Sequence, residues 1–410
     1  MSDLSIYIHI PFCVRKCLYC DFLSFPVAVS MEMVKSYVNL LIQEIKANAE
    51  KYKEYQVISI FLGGGTPSIL PAEDVSCIMA AIRDCYRVAE NAEITMEVNP
   101  GTADSNKMRQ YITDGINRIS IGLQSADDRE LARIGRIHDR KAFQETYRLA
   151  RNVGFWNINI DIMSSLPGQS VESYEKTLAF VAACGPEHIS AYSLMLEEGT
   201  PLYERQSEYS FPSEDEDREM YARTKEYLAS CGYHRYEISN YAKTGFECRH
   251  NKVYWRRGNY VGFGLGASSM IGNVRWKNPE KIEQYKAYVS RLSERQEHEE
   301  GNSCAGSVEP ASVQGMGAEK ESDNLFGIDR QILTIREQME EYMFLGLRMM
   351  CGIDRREFAH VFGQQIEEVY TGIMDRLCQQ GLIEQDMSHV RLTDFGIDVS
   401  NYVLAQFLFD

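Results

Sequence analysis

Cys13, Cys17 and Cys20 stand within the run Tyr7-Ile-His-Ile-Pro-Phe-Cys-Val-Arg-Lys-Cys-Leu-Tyr-Cys-Asp-Phe22, a C-x3-C-x2-C spacing directly after an apolar segment. Three thiolates from one short loop can ligate three irons of a cubane iron–sulfur cluster and leave the fourth iron open to a ligand that is not protein. An open iron is a place for chemistry rather than for electron storage alone. A structural zinc site would need four closed ligands, commonly in C-x2-C pairs. His9 lies back in the apolar segment and the next cysteine is the distant Cys77, so zinc fits poorly. The chain has eleven cysteines, an odd number, and no apolar leader before Ile6. Both facts argue against a disulfide framework and for a reducing, cytoplasmic setting. The other eight, Cys77, Cys85, Cys184, Cys231, Cys248, Cys304, Cys351 and Cys378, are scattered like ordinary buried thiols.

A cysteine loop needs stiff elements to hold it. Short β-branched runs at 5–10, 57–62, 93–98, 118–123, 157–163 and 188–194 predict strands buried on both faces. Between them apolar residues recur at helical spacing: Val34, Tyr37, Val38, Leu41, Ile42 and Ile45 after the first, and Val75, Ile78, Met79 and Ile82 after the second. Six strand–helix units predict an α/β fold with a parallel sheet curved toward a barrel, whose chemistry sits at the carboxyl ends of the strands.

Polar and glycine residues fall at those ends. Gly63-Gly64-Gly65-Thr66-Pro67 follows the second strand, where missing side chains let a ligand approach the backbone. Alone it could be a tight turn, and no Gly-Lys-Ser/Thr follows to make it a Walker loop. Glu97, Gln124 and Asp161 end or lie in the third, fourth and fifth strands. Each alone could be a solvated strand end; together they point at one mouth.

The cysteine loop resembles that of the radical S-adenosylmethionine (SAM) enzymes, and the longer string Tyr7-x-His9-Ile-Pro-Phe-Cys13 resembles the branch formed by the oxygen-independent coproporphyrinogen III oxidases (HemN) and their haem-chaperone paralogues (HemW). The likeness runs over essentially the whole chain. It implies the open, partial (βα)6 version of the barrel, a [4Fe-4S] cluster on Cys13, Cys17 and Cys20, and S-adenosyl-L-methionine on the open iron. It also implies cofactor contacts from Tyr7, Gly64, Gly65, Thr66, Glu97, Gln124, Arg136, Asp161 and Met195, with the Tyr19 ring stacking on adenine. The segment Tyr260–Met270, rich in glycine, resembles the stretch that lies along the cofactor, although Ser268 stands where the chaperones often carry histidine.

Two departures within the family point away from the oxidase. Phe22 stands where the oxidases have a further cysteine. Downstream, His250-Asn251-Lys-Val-Tyr254-Trp255 follows Cys248, the H-N-x-x-Y-W pattern associated in the chaperones with haem binding. An imidazole can ligate haem iron while tyrosine and tryptophan offer flat apolar surface. From spacing alone a histidine with nearby aromatics is more often part of a packed surface hairpin or a hydrogen-bonded core residue than a haem ligand, and Cys248 is a second axial donor to consider. The resemblance implies a protein that binds cluster, cofactor and haem and passes haem to acceptor proteins, respiratory and membrane-associated ones included. Its rivals are coproporphyrinogen oxidase itself and a radical enzyme on another substrate; whether cofactor cleavage is part of turnover stays open.

Composition agrees with a globular protein of enzyme size. With 410 residues and 44% hydrophobic content the chain can bury one large core and a smaller one. A net charge of −16 disfavours nonspecific nucleic-acid binding. No apolar run is long enough for an integral membrane protein. The barrel and the haem-motif segment are predicted over 1–290. A polar stretch at 297–324 reads as a flexible insertion. Residues 325–410 resemble the small, mainly helical, winged-helix-like C-terminal domain of the HemN family, with helices at 334–349, near Phe358, at 364–378 and up to Phe407.

Overall fold

Along each central strand, residues of opposite character alternate. Leu4, Ile6, Ile8 and Ile10 alternate with Ser5, Tyr7 and His9; Ile119, Ile121 and Leu123 with Ser120, Gly122 and Gln124; Ile158, Ile160 and Ile162 with Asn159 and Asp161. Successive side chains on a strand point to opposite faces. One face therefore offers aliphatic groups for packing and the other a row of polar groups. Both are buried, the situation in which parallel strands with helical crossovers are stable.

A computed structural model describes residues 1–26, 30–303 and 328–409. Six parallel strands lie side by side in chain order: β1 (Ser2–Ile10), β2 (Tyr55–Gly64), β3 (Val88–Val98), β4 (Arg118–Gln124), β5 (Ile158–Ser164) and β6 (His188–Ser193). The crossovers are helical, led by α1 (Met31–Ala47) and α2 (Ala72–Cys85), whose predicted faces (Val34, Tyr37, Val38, Leu41 and Ile45; Val75, Ile78, Met79 and Ile82) are buried. This is the α/β arrangement the six predicted runs require.

The sheet is larger than predicted, with twelve strands among the described residues. Tyr260–Phe263 adds parallel to β1, followed by antiparallel Ser268–Ile271, Val274–Lys277 and Ile328–Ile332. Asn240–Ala242 and His234–Arg235 extend the other edge beyond β6. These additions are two to five residues long, too short to show a period.

After the sheet, the helix Ile282–Ser303 runs through the first positions of the predicted insertion; 304–324 lie outside the described residues. The C-terminal unit has its own core, including Met343, Leu347, Phe358, Tyr370, Leu377 and Phe407. Its helices Ile335–Gly346, Arg355–Phe362 and Ile373–Gln379 pack with a three-stranded sheet of Ile353–Asp354, His389–Leu392 and Ile383–Gln385. The helix predicted over 364–378 is broken into Ile366–Val369 and Ile373–Gln379, because Gly372 takes φ +77°. The last predicted helix is likewise two short ones, Asp394–Asp398 and Ser400–Ala405. Glu341 ties this unit to the sheet domain through Arg257 at 3.1 Å and through Arg275. Among the described residues no helix is long and apolar enough to cross a membrane.

Candidate cofactor site

The cysteine loop leaves the carboxyl end of β1 and is pinned on several sides. His9 Nε2 lies 2.8 Å from the Leu23 carbonyl, and the Phe25 amide donates to the Pro11 carbonyl at 2.7 Å. The Leu18 amide donates to Ile134 at 3.0 Å, and the Leu18 carbonyl accepts from Leu202 at 2.9 Å. From β2, the amides of Gly65 and Thr66 donate to the carbonyls of Ile10 and Phe12 at 2.8 and 2.7 Å. Cys13, Cys17 and Cys20 are free thiols that line one cavity of about 400 Å³ at the carboxyl ends of the strands. Among the described residues no three His, Cys, Asp or Glu groups converge as a single metal ion would require. Three thiols spread round one cavity fit a multi-iron cluster better than one ion.

A chain of polar contacts links two of the thiols. The Thr66 hydroxyl lies 3.5 Å from Cys13 Sγ and accepts from Asn99 Nδ2 at 2.8 Å. Asn99 Oδ1 accepts from Arg136 Nη2 at 2.9 Å, and Arg136 Nη1 lies 3.6 Å from Cys17 Sγ. The guanidinium also donates to the Gly122 carbonyl at 2.8 Å.

Most of the predicted cofactor residues meet in this cavity: Tyr19, Gly64, Gly65, Thr66, Glu97, Gln124, Arg136, Asp161 and Met195 all line it. Glycine is required at two of these positions. A Cβ on Gly64, whose φ is +107°, would lie 2.5 Å from the His9 ring, and one on Gly65 would lie 2.5 Å from the Phe12 carbonyl oxygen. Gln124 holds φ +70° where β4 slips register against β5, and left-handed backbone outside glycine is concentrated at functional sites. Glu97 accepts from the Gly64 amide at 3.2 Å, and burial, then the nearby Asp161 charge, push its carboxyl up to about 8. Burial also raises Asp161, opposed by hydrogen bonds from Ser120 at 2.8 Å and Asn159 at 2.7 Å. Near neutral pH Glu97 is therefore largely protonated and can donate as well as accept, a set suited to hydroxyl and amine groups.

Tyr7 is not in the cavity wall. Its hydroxyl lies 3.0 Å from His9 Nδ1 and its ring stacks on Phe61. The Gly262–Gly264 stretch also stays out of the wall, since Gly264 packs on the Tyr37 hydroxyl and the His9 carbonyl and donates to Glu44. Sequence reasoning passed over Asn99, Ser120 and Tyr192, which do line it. The only signal available was the alternation of polar residues along β3, β4 and β6.

The second predicted constellation lies at the opposite end of the sheet. Residues Arg249–Trp255 form a helix across the amino-terminal ends of the strands, where Glu93 accepts the amides of Arg249 and His250 at 3.0 and 3.1 Å. His250 is 2% exposed, with Nδ1 3.0 Å from the Ser59 hydroxyl and Nε2 2.9 Å from the Tyr254 hydroxyl. Its ring stacks on Phe61, and burial lowers its pKa to about 3. Cys248 is buried too, its thiol pushed up to about 12 by burial and then by Glu93. Trp255 lies beneath the Arg348 guanidinium, 4.8 Å from its ring centre, and Asn251 is half-buried. Both nitrogens of His250 are thus engaged, and an iron bond to it would require one of these hydrogen bonds to be given up.

Comparison with known proteins bears on the whole chain. Residues 7–181 match the radical SAM superfamily and 333–399 the HemN C-terminal domain. The chain is 33% identical over 407 residues to the heme chaperone HemW of Bacillus subtilis, spanning 98% of this chain and 99% of that one. The chain belongs to the HemW family of the radical SAM superfamily. HemW of Escherichia coli is 38% identical over 272 residues, 66% of this chain and 71% of its own. The solved coproporphyrinogen III oxidase (HemN) of Escherichia coli superposes with a TM-score of 0.80 at 22% identity, over 99% of this chain and 90% of that one, which shows a shared fold. Membership of the radical SAM superfamily implies a [4Fe-4S] cluster and S-adenosylmethionine, and the three thiols and the cavity they line fit both in donor chemistry and in size.

Proposed function

We propose that the protein is a haem chaperone that carries a [4Fe-4S] cluster on Cys13, Cys17 and Cys20, binds S-adenosyl-L-methionine in the adjoining cavity, binds haem, and delivers it to acceptor proteins in the cytoplasm. The observation that carries this reading is the end-to-end likeness to relatives named heme chaperone, over the cysteine loop, the far-end helix and the C-terminal unit together. Phe22, 61% exposed at the rim of the cavity where the oxidases have a cysteine, favours it over decarboxylation.

Bound together, cluster and cofactor would supply a reducible centre, with the cofactor on the iron that no cysteine ligates. The chain's own groups do the positioning. Gly64 and Gly65 let their loop close onto His9 and Phe12 beside the cavity, Arg136 holds positive charge beside Cys17, and Glu97 and Asp161 present carboxyls to hydroxyl or amine groups. The helix Arg249–Trp255 is the family's haem-associated segment, and ligation through His250 would call for that helix to loosen from Ser59 or Tyr254.

The test is anaerobic reconstitution followed by two assays on the same preparation. One four-iron cluster per chain is expected, lost in each of Cys13→Ala, Cys17→Ala and Cys20→Ala and kept in Cys77→Ala. Haem should then bind with a shifted Soret band, and coproporphyrinogen should stay unconverted. Robust decarboxylation would replace this reading with the oxidase; neither haem binding nor decarboxylation would leave a radical enzyme on another substrate.

A further inference from the structure

The loop Gly264-Leu265-Gly266 leaves the strand Tyr260–Phe263, which runs parallel to β1, so it emerges at the same end of the sheet as the cysteine loop. It does not face the cavity but sits behind that loop. The Gly264 amide donates to the Glu44 carboxyl at 2.8 Å, and Asn278 and Tyr285 donate to the same carboxyl at 2.6 Å each. The Leu265 amide donates to the Tyr37 hydroxyl at 3.0 Å, which itself donates to the His9 carbonyl at 2.7 Å. The His9 ring continues the chain, since an Nε2 lying 2.8 Å from the Leu23 carbonyl must carry the proton. Glycine permits the approach: a Cβ on Gly264, whose φ is +100°, would lie 2.5 Å from the Tyr37 hydroxyl and 2.7 Å from the His9 carbonyl oxygen, and Gly266 faces the Leu23 side chain.

Glu44, Tyr37, Asn278 and Tyr285 are at most 1% exposed, and none of them lines the cavity. A carboxyl and two phenols so deep cost desolvation that apolar residues of the same size would avoid, so what they add is direction rather than bulk. A cluster held by three thiolates demands that the stretch from Cys13 to Cys20 be fixed, and Leu23 lies three residues past the last ligand. We propose that Glu44 and Tyr37 are positioning residues for the cluster, acting through the Gly264–Gly266 loop and His9 to hold the cysteine loop from behind. This rests on the cluster reading of the proposed function. It gives the glycine-rich segment a task away from the cofactor cavity, whose wall it does not join.

The experiment uses the full chain, reconstituted anaerobically and also cluster-free, as wild type, Tyr37→Phe, Glu44→Gln and Tyr86→Phe. Tyr86→Phe is the control: it too removes a buried tyrosine hydrogen bond, to the Ile45 carbonyl at 2.8 Å, but at the last turn of α1. Glu44→Gln keeps the shape and turns one accepting oxygen into a donor. Iron release is followed with bathophenanthroline disulfonate as chelator. Release about tenfold faster is expected in Tyr37→Phe, with altered g values in the electron paramagnetic resonance of the reduced cluster, a smaller effect in Glu44→Gln and none in Tyr86→Phe. Melting temperature should fall in all three, so a network that only stabilises would move the control as well. In the cluster-free chain, amide exchange over 11–25 should quicken in Tyr37→Phe and Glu44→Gln and keep the wild-type rate in Tyr86→Phe. Iron release and exchange in Tyr37→Phe equal to wild type would overturn the positioning role and leave the cluster reading standing. Equal acceleration in Tyr86→Phe would overturn it too, because loosening would then follow lost stability. A wild-type chain that takes up no four-iron cluster would overturn the cluster reading and the positioning role together.

Discussion

Arg136 and Cys17, distant in sequence, are brought together so that a nitrogen of the half-buried guanidinium lies 3.6 Å from the thiol sulfur. A fixed cation there stabilises whichever state of a bound cluster carries more negative charge, which is the reduced one. Arg136→Gln should therefore keep its iron but show a reduction midpoint lower by about 30–60 mV, the scale of a one-electron shift near 1 kcal/mol. Arg136→Lys should recover part of the shift. Spectroelectrochemical titration measures this, and identical midpoints in all three proteins would exclude an electrostatic role.

Gly64 combines a left-handed backbone with a neighbouring imidazole. The φ of +107° and the 2.5 Å approach of the His9 ring make Gly64→Ala strained on two counts. The expected cost is about 1–3 kcal/mol in denaturant unfolding, together with loss of S-adenosylmethionine binding. A stable variant with wild-type affinity would show that the loop adapts.

Glu97 makes stability depend on pH in an unusual direction for a carboxylate. Its pKa of about 8 in the folded chain stands above the ordinary 4.5, so the folded state binds the extra proton between those values. Stability should fall as pH rises from about 4.5 to about 8. Glu44, pushed up to about 7 by burial, acts the same way, so Glu97→Gln should flatten the slope in part. Unfolding measured at pH 5 and pH 8 tests it; equal slopes in variant and wild type would mean that the carboxyl is ionised throughout.

His250 behaves oppositely. Its folded pKa of about 3 lies below the ordinary 6.5, so the neutral ring stabilises the fold above pH 6.5 and that contribution is lost as pH falls toward 3. His250→Ala strands the Ser59 and Tyr254 hydroxyls and opens a void beside Phe61, for an expected loss of about 2–4 kcal/mol at pH 7. Denaturation at pH 7 and pH 4.5 should show a shallower acid dependence in the variant. A loss under about 0.5 kcal/mol would mean that the ring is solvent-exposed in solution.

Local spacing was enough to single out the C-x3-C-x2-C loop, because cluster ligation needs its thiols within a few residues. The six central strands were equally legible, since each is a short segment rich in aliphatic residues and set between helical repeats, the local order that a parallel sheet with helical crossovers demands. The placement of Glu97, Gln124 and Asp161 at or near the ends of three strands even implied a shared mouth, because parallel strands in chain order present their ends together. Which end each motif occupies was not legible. The His250 helix reads the same from spacing whether its imidazole is open or sealed; contacts with Ser59, across 191 residues, and with Glu93, across 157, decide that it is sealed. The same distance in sequence hid the surroundings of Glu44, which meets Gly264 across 220 residues and Tyr285 across 241. Ligand spacing and strand period are properties of neighbours along the chain, whereas burial, pKa and the pairing of distant side chains come into being only when the chain folds back on itself.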